Sequence, residues 1–171
     1  MFFSRSLKLY RTHPKAYLPS FATEGSACFD LRASLQSGTE VKSYTWLNVT
    51  DLVSVSPTQH LLLRPGHRYL IPTNLILDIP EGFSVRIHPR SGLALKQGLT
   101  LINCEGVIDS DYVDPIYITL LNLSDSPVEI SDGDRVAQAE LVRSETYEIE
   151  EVNTPPARKT SRVGGFGSTG V

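Results

Sequence analysis

Short apolar or alternating runs recur along the chain, separated by turn residues at fairly even intervals. Leu61-Leu62-Leu63 stops at Arg64-Pro65-Gly66, and an apolar run over 69–77 ends at Asp78-Ile79-Pro80-Glu81-Gly82. Ser84-Val85-Arg86-Ile87-His88 alternates strictly until Pro89, and the run 116–121 ends at Ser124-Asp125-Ser126-Pro127. Val128-Glu129-Ile130 meets the turn Ser131-Asp132-Gly133-Asp134, a further strand follows over 135–142, and 146–152 alternates again. Short period-two segments with turn signals this close predict an all-β sandwich or barrel. One helix is expected, over Ser91–Gln97, with Ser91 able to cap it and Gly98 able to stop it.

Two stretches break the rhythm. Residues 37–59 are polar and β-branched, with Trp46 among them, and read as an inserted loop or hairpin on the surface. Thr45, Trp46 and Val49 are its main apolar surface, expected to pack outside the barrel, away from any active site, and to offer a face to a protein partner. From Asn153 the chain becomes a Pro-led arm with a Gly-rich tip. The organisation is therefore one domain over 1–152 and an arm over 153–171.

The chain has 171 residues, the size of one domain, and a domain of this size buries roughly 70% of its unfolded surface without a disulfide or metal. Hydrophobic residues are 40% and charged residues 20%, as in folded rather than disordered chains. A net charge of −3 argues against a nucleic-acid coat, though not against a local basic pocket. Cys28 and Cys104 stand alone and no His pair has ligand spacing, so the sequence carries no zinc signature. Lone thiols suit a reducing compartment. No apolar run reaches ~18 residues and the N-terminus lacks a signal-peptide pattern, so a cytoplasmic protein without membrane contact is expected.

Four segments can carry chemistry. In Gly164-Gly165-Phe166-Gly167-Ser168-Thr169-Gly170, backbone amides and hydroxyls can approach phosphate without a Cβ in the way. Such termini are usually frayed ends; a single Phe among the glycines suits a lid that stacks on a flat ring. Asn103 to Tyr112 gathers Asp109, Asp111 and Tyr112 around tight bends, a pattern that in isolation is ordinary turn chemistry. Pro89-Arg90-Ser91-Gly92 puts a guanidinium, a hydroxyl and a glycine amide where a strand passes into a helix, which suits an anion. Gly133-Asp134-Arg135-Val136-Ala137-Gln138 turns into a strand and by itself is a hairpin with a surface ion pair.

Their order is more specific than any one of them. Ala27-Cys28-Phe29-Asp30-Leu31-Arg32-Ala33, Pro89 to Ala94, Gly106 to Tyr112, Gly133 to Gln138 and Gly164 to Gly170 resemble, in sequence order, the five motifs of the trimeric dUTPase family. The resemblance implies a jelly-roll-like β-barrel subunit, a homotrimer with active sites between subunits, and a C-terminal arm that closes a neighbour's site. Eleven extended residues, 153–163, span about 34 Å at the polyproline rise.

The implied reaction is hydrolysis of dUTP to dUMP and pyrophosphate by water attacking the α-phosphate, which keeps uracil out of DNA and supplies dUMP for dTMP synthesis. Asp109 matches the general base. Asp30 matches the aspartate that holds Mg2+ through water, and Gln138 a glutamine beside the phosphates that can also reach the metal through water. Arg90, Ser91 and Gly92 match phosphate contacts. Asn103, the backbone of Gly106, Val107 and Ile108, and Tyr117 match the uracil pocket, with Tyr112 under the deoxyribose. Phe166 matches the uracil lid, with Gly167, Ser168 and Thr169 over the phosphates, and Arg162 the γ-phosphate arginine, displaced by one residue. Asp114 stands where family members usually have glycine, which puts the turn beside the sugar in question. The related dCTP deaminases need a glutamate on the strand after Asp109, and 116–122 holds no carboxylate. A non-catalytic nucleotide-binding protein would not require Asp109.

Overall fold

The computed structural model describes residues 6–161 and 164. Fourteen strands and one short helix follow one another along it. They are β1 (Lys8–Arg11), β2 (Ser20–Phe21), β3 (Phe29–Arg32), β4 (Glu40–Tyr44), β5 (Thr50–Ser54), β6 (His60–Leu63) and β7 (Arg68–Pro72). Then come β8 (Leu75–Asp78), β9 (Phe83–His88), α1 (Ser91–Gln97), β10 (Leu99–Leu101), β11 (Gly106–Ile108), β12 (Tyr117–Asn122), β13 (Val128–Ser131) and β14 (Arg135–Arg143). Two five-stranded sheets, β10-β12-β7-β4-β5 and β11-β9-β14-β3-β2, carry the architecture, with the ladders β1-β8 and β13-β6 beside them. Every pairing is antiparallel. This is the all-β, jelly-roll-like subunit that the turn spacing predicts. No helix among the described residues is long and apolar enough to cross a membrane.

The alternation works because one side of each strand feeds a single core. Leu31, Leu63, Ile71, Val85, Ile118, Leu120 and Ala137 meet there, each essentially inaccessible to water. Leu62, between two buried leucines, is half exposed, so the Leu61-Leu62-Leu63 run is a period-two strand after all.

Four expectations change. The apolar run 69–77 is two strands, broken at Thr73-Asn74, where Asn74 takes φ 55°. Thr73 holds the break by donating its hydroxyl to the Ile116 carbonyl over 2.7 Å while accepting from the Leu75 amide. Residues 37–59 are not a surface excursion. Their hairpin β4–β5 completes a main sheet through Ser43↔Tyr69 and Tyr44↔Arg68, and both Val41 and Val55 are buried in the core. Its tip is open, with Trp46, Leu47 and Val49 exposed, and the outer strand β5 exposes Leu52 as well. The alternating segment 146–152 pairs with no strand among the described residues, and Tyr147 and Ile149 stand out in solvent. Finally, Ser91 is the first residue of α1 and not its cap: Arg90 occupies that position in extended conformation, with no side-chain capping bond. Gly98 does stop the helix, left-handed at φ 67°, and its Cβ position would lie 3.0 Å from Ser124.

Candidate active site

Three neighbouring strands bring the phosphate-type residues together. The registers Asp30↔Gln138 and Gln138↔His88 set β3, β14 and the end of β9 abreast, and the chain then leaves β9 through Pro89 into Arg90. A cavity of about 300 Å³ opens there, lined by Cys28, Asp30, Arg90, Ser91, Gly92, Arg135 and Gln138 among others. Asp30 is nearly buried and is flanked by two arginines: Arg90 Nε forms an ion pair 3.2 Å from Oδ1, and Arg135 Nη1 donates to Oδ2 over 3.1 Å. Arg90 also donates to the Arg135 carbonyl, and Gln138 donates to the Pro89 carbonyl. Two guanidiniums against one carboxylate leave a net positive charge on the cavity wall. The first-turn amides of α1, without a capping side chain, add unpaired donors. Anions are favoured here.

Arg135 was not singled out as a site residue in the sequence. It sits in the 133–138 motif, but only the β3–β14 register reveals that it shares Asp30 with Arg90. The turn before it is firmly held. Asp132 accepts from the Leu35 amide at 2.7 Å and from the Tyr17 hydroxyl at 2.8 Å, and the Asp134 carboxylate accepts from the Ser131 amide. The bond to Asp132, then burial, push the Tyr17 hydroxyl above its usual pKa. Gly133 adopts φ 84° with its Cβ position only 2.8 Å from the Tyr17 ring, so no other residue fits without movement.

The second cluster lies on the turn between β10 and β11 and on the loop beyond. Asn103 accepts from the Thr119 hydroxyl through Oδ1, which leaves its side-chain NH₂ to face a ligand as donor. Cys104, at φ 61°, bends the turn. Gly106 is buried and tightly packed: a Cβ there would lie 3.1 Å from Ile87 Cβ, which would have to yield by a few tenths of an ångström, and 3.5 Å from the Asn103 amide nitrogen. Val107 is exposed and Ile108 half buried. Asp109 is exposed, and its carboxylate makes no hydrogen bond or ion pair among the described residues. The Tyr112 amide donates to the Asp109 carbonyl, and the Tyr112 hydroxyl to the Pro115 carbonyl, which holds the ring beside the turn. Tyr117 begins β12 with its side chain partly exposed. Asp114 has no left-handed φ, so the glycine usual at that position is not needed by the backbone.

The two clusters do not meet within the chain. β11 runs antiparallel to β9, with Gly106↔Ile87 and Ile108↔Val85, so Asp109 emerges near the start of β9 while Arg90 leaves its end. Continuing that register puts Asp109 level with Ser84, while Arg90 meets Asp30 at the level of His88: four strand residues, about 13 Å at the usual rise, with β9 and β14 lying between β11 and β3. A general base must lie within one hydrogen bond, or one water, of its proton. Asp109 of one chain therefore cannot serve phosphates held by Arg90 of the same chain.

A sequence model of the dUTPase family matches residues 51–170. The chain belongs to the dUTPase family. Among its dUTPase relatives, the deoxyuridine 5'-triphosphate nucleotidohydrolase of Finegoldia magna is 43% identical over 154 residues, 90% of this chain and 91% of that one. The dUTPase of Staphylococcus bacteriophage 80alpha, solved with dUpNHpp, shares the fold at TM-score 0.76 and 20% identity, over 98% of this chain and 100% of that one. A mutant dUTPase of phage phi11 of S. aureus, described as coordinating a structural Mg(II) ion, aligns at TM-score 0.66 and 20% identity, over 88% and 98%. The dUTPase-motif residues Arg162, Phe166, Gly167, Ser168 and Thr169 lie outside the described residues.

Asp30 also tests how Mg2+ fits this dUTPase scaffold. Each of its oxygens is already paired with an arginine, which disfavours direct coordination. A carboxylate has about four acceptor positions, so two remain for waters carried by a metal. The donor set suits an outer-shell role, and Mg2+ characteristically keeps several waters.

Proposed function

We propose that this chain hydrolyses dUTP to dUMP and pyrophosphate as a homotrimer, with each site completed between subunits. The observation that carries this reading is the separation of an arginine-lined anion cavity from an amide-and-carboxylate cluster at opposite ends of β9. In a trimer, the 103–117 cluster of one subunit faces the 30/90/138 cavity of the next. The segment 146–152 supports assembly, since it pairs with no strand among the described residues and exposes Tyr147 and Ile149. The arm 153–171 then reaches a neighbouring site.

Asn103 donates to a uracil carbonyl, and the backbone at Gly106–Ile108 lines the ring edge, closing the pocket to a 5-methyl group. Tyr112 lies under the sugar, where a 2′-hydroxyl would clash. Arg90, Arg135, Ser91 and the Gly92 amide take the phosphate chain, and their charge is present before the reaction begins, as phosphoryl transfer requires. Asp109, whose carboxylate has no partner among the described residues, orients a water and accepts its proton as it attacks the α-phosphorus. Asp30 and Gln138 would hold the waters of a Mg2+ ion, which would supply further neutralisation of the triphosphate charge. Phe166 covers the uracil, Gly167, Ser168 and Thr169 contact the phosphates, and Arg162 reaches the γ-phosphate. In the cell this activity lowers dUTP before uracil enters DNA and supplies dUMP for dTMP synthesis. β12 has no carboxylate to shuttle protons at C4 of cytosine, so nothing supports deamination of dCTP.

Pyrophosphate release from dUTP, dCTP and UTP measured side by side tests the reading. Rapid release from dUTP alone is expected. Equal release from UTP would remove Tyr112 from its sugar-selecting role, and release from none would leave a binding protein.

A further inference from the structure

The register that builds the anion cavity also gathers a cluster that the hydrolysis does not use. Continuing Phe29↔Ala139 by one residue sets Cys28 opposite Glu140, while Glu140↔Arg86 and Gln138↔His88 bring His88 diagonally alongside. The Cys28 sulfur, a His88 ring nitrogen and a Glu140 carboxylate oxygen all lie within 4.8 Å of one another, and all three residues are half buried. His88 Nε2 is 3.2 Å from Glu140 Oε1. Its other nitrogen, Nδ1, is 3.6 Å from Glu105 Oε1, and Glu105 Oε2 is 3.3 Å from Arg86 Nη1.

We propose that Cys28, His88 and Glu140 form a site for a borderline-soft divalent cation of the Zn2+ class, with Glu105 orienting His88 from behind. A tetrahedral Zn2+ with sulfur, nitrogen and oxygen ligands places those atoms about 3.4–3.6 Å apart, which the His88–Glu140 spacing already approaches. The carboxylate on the far nitrogen of a histidine is the usual companion of a metal-bound imidazole, fixing its tautomer and orientation. Three protein ligands leave one position open. Because Cys28 also lines the anion cavity, an ion held there adds positive charge beside Asp30 and ties β3, β14 and β9 together. A thiolate selects against Mg2+, so this site is separate from the outer-shell role of Asp30. No sequence spacing signals it, since Cys28 immediately precedes β3, His88 ends β9 and Glu140 lies within β14. The competing account is a metal-free His88 held between Glu140 and Glu105, which leaves the thiol without a part.

The test is Co2+ titration of the full chain, chelator-treated and kept reduced, followed by absorbance, with Zn2+ competition and thermal melts in parallel. A thiolate-to-cobalt band at one equivalent per chain, tetrahedral visible bands, and displacement of both by Zn2+ are expected. Cys28→Ser abolishes the near-ultraviolet band, and Cys104→Ser keeps it. Glu105→Gln weakens Co2+ binding about 10- to 100-fold while the band stays. Zn2+ raises the Tm of the wild type but not of Cys28→Ser. Circular dichroism establishes that each variant is folded. Binding without a thiolate band, unchanged affinity in folded Cys28→Ser, loss of the band in Cys104→Ser, or no binding would each overturn the proposal; dUTP turnover is not its readout.

Discussion

Arg90 Nε lies 3.2 Å from Asp30 Oδ1, so the residue between β9 and α1 is tied to the middle of β3 across the intervening β14. Arg135 holds the other oxygen of the same carboxylate. Asp30→Asn removes the charge between two guanidiniums while keeping the shape. A hydrogen bond to a charged group contributes about 1.5–3 kcal/mol, so a loss of that order in urea denaturation is expected, together with a higher Mg2+ requirement for turnover. Unchanged stability would mean that the two arginines are held by other contacts.

Asp109→Asn should keep dUpNHpp binding while turnover falls by about 10²- to 10⁴-fold, the usual contribution of a general base. The separation of Asp109 from Arg90 adds a sharper consequence. Unfolding and refolding Asp109→Asn together with Ser91→Ala should restore part of the lost activity, because some mixed sites then hold an intact base from one subunit and an intact phosphate cluster from another. Absence of any rescue, with mixed assemblies shown to form, would place both clusters of a site in one chain.

Much of this arrangement was legible in the chain because burial imposes a period. β9 and β12 alternate since one face of each meets the core, and Gly98 ends α1 where left-handed backbone is needed. The break at Thr73-Asn74 was not legible, because it lies inside an apolar run and depends on a hydroxyl reaching Ile116, 43 residues away. Arg135 was hidden for the same reason. Its partner is fixed by the pairing of β14 with β3, a long-range register that local pattern does not encode. The residues 146–152 show the converse: the period-two signal is present, but the segment pairs with no strand among the described residues.

Ile149 is 92% exposed in the single chain, so Ile149→Asp should cost the subunit fold almost nothing. If 146–152 adds a strand to a neighbour, the same change should shift sedimentation from trimer toward monomer and lower turnover at dilute protein. A stable trimer with full activity would show that this segment lies outside the interface.

Tyr17 donates to Asp132 at the turn that starts β14, and its pKa is raised chiefly by that bond. A raised folded-state pKa means that the contribution is fully present below the unfolded value near 10 and is lost as pH rises through the folded one. Tyr17→Phe should therefore be less stable than wild type at neutral pH, with the gap closing in strongly alkaline solution. A gap that is constant with pH would assign the effect to packing. Gly133→Ala, which combines a left-handed φ with the contact to Tyr17, should destabilise by about 1–3 kcal/mol.

The β4–β5 hairpin separates what the core needs from what it does not. Val41 and Val55 are 1% and 2% exposed, and β4 covers the edge of β7 by hydrogen-bonding Ser43 and Tyr44 opposite Tyr69 and Arg68. Replacing 41–56 with a short Gly/Ser link removes two core side chains and uncovers that edge, and each large buried deletion costs about 2–5 kcal/mol. Loss of folding is the expected result, so that variant says nothing about catalysis. The tip is different. Trp46 and Leu47 are 75% and 64% exposed, and the turn is held without them: the Thr45 amide donates to the Val49 carbonyl and the Val49 amide to the Thr45 hydroxyl. Trp46→Ser with Leu47→Ser should leave stability within about 0.5 kcal/mol, as surface changes do, and dUTP turnover unchanged. A folded double variant with collapsed turnover would bring the hairpin tip into a neighbouring subunit's site; a large fall in Tm with normal sedimentation would show that Trp46 packs within its own subunit.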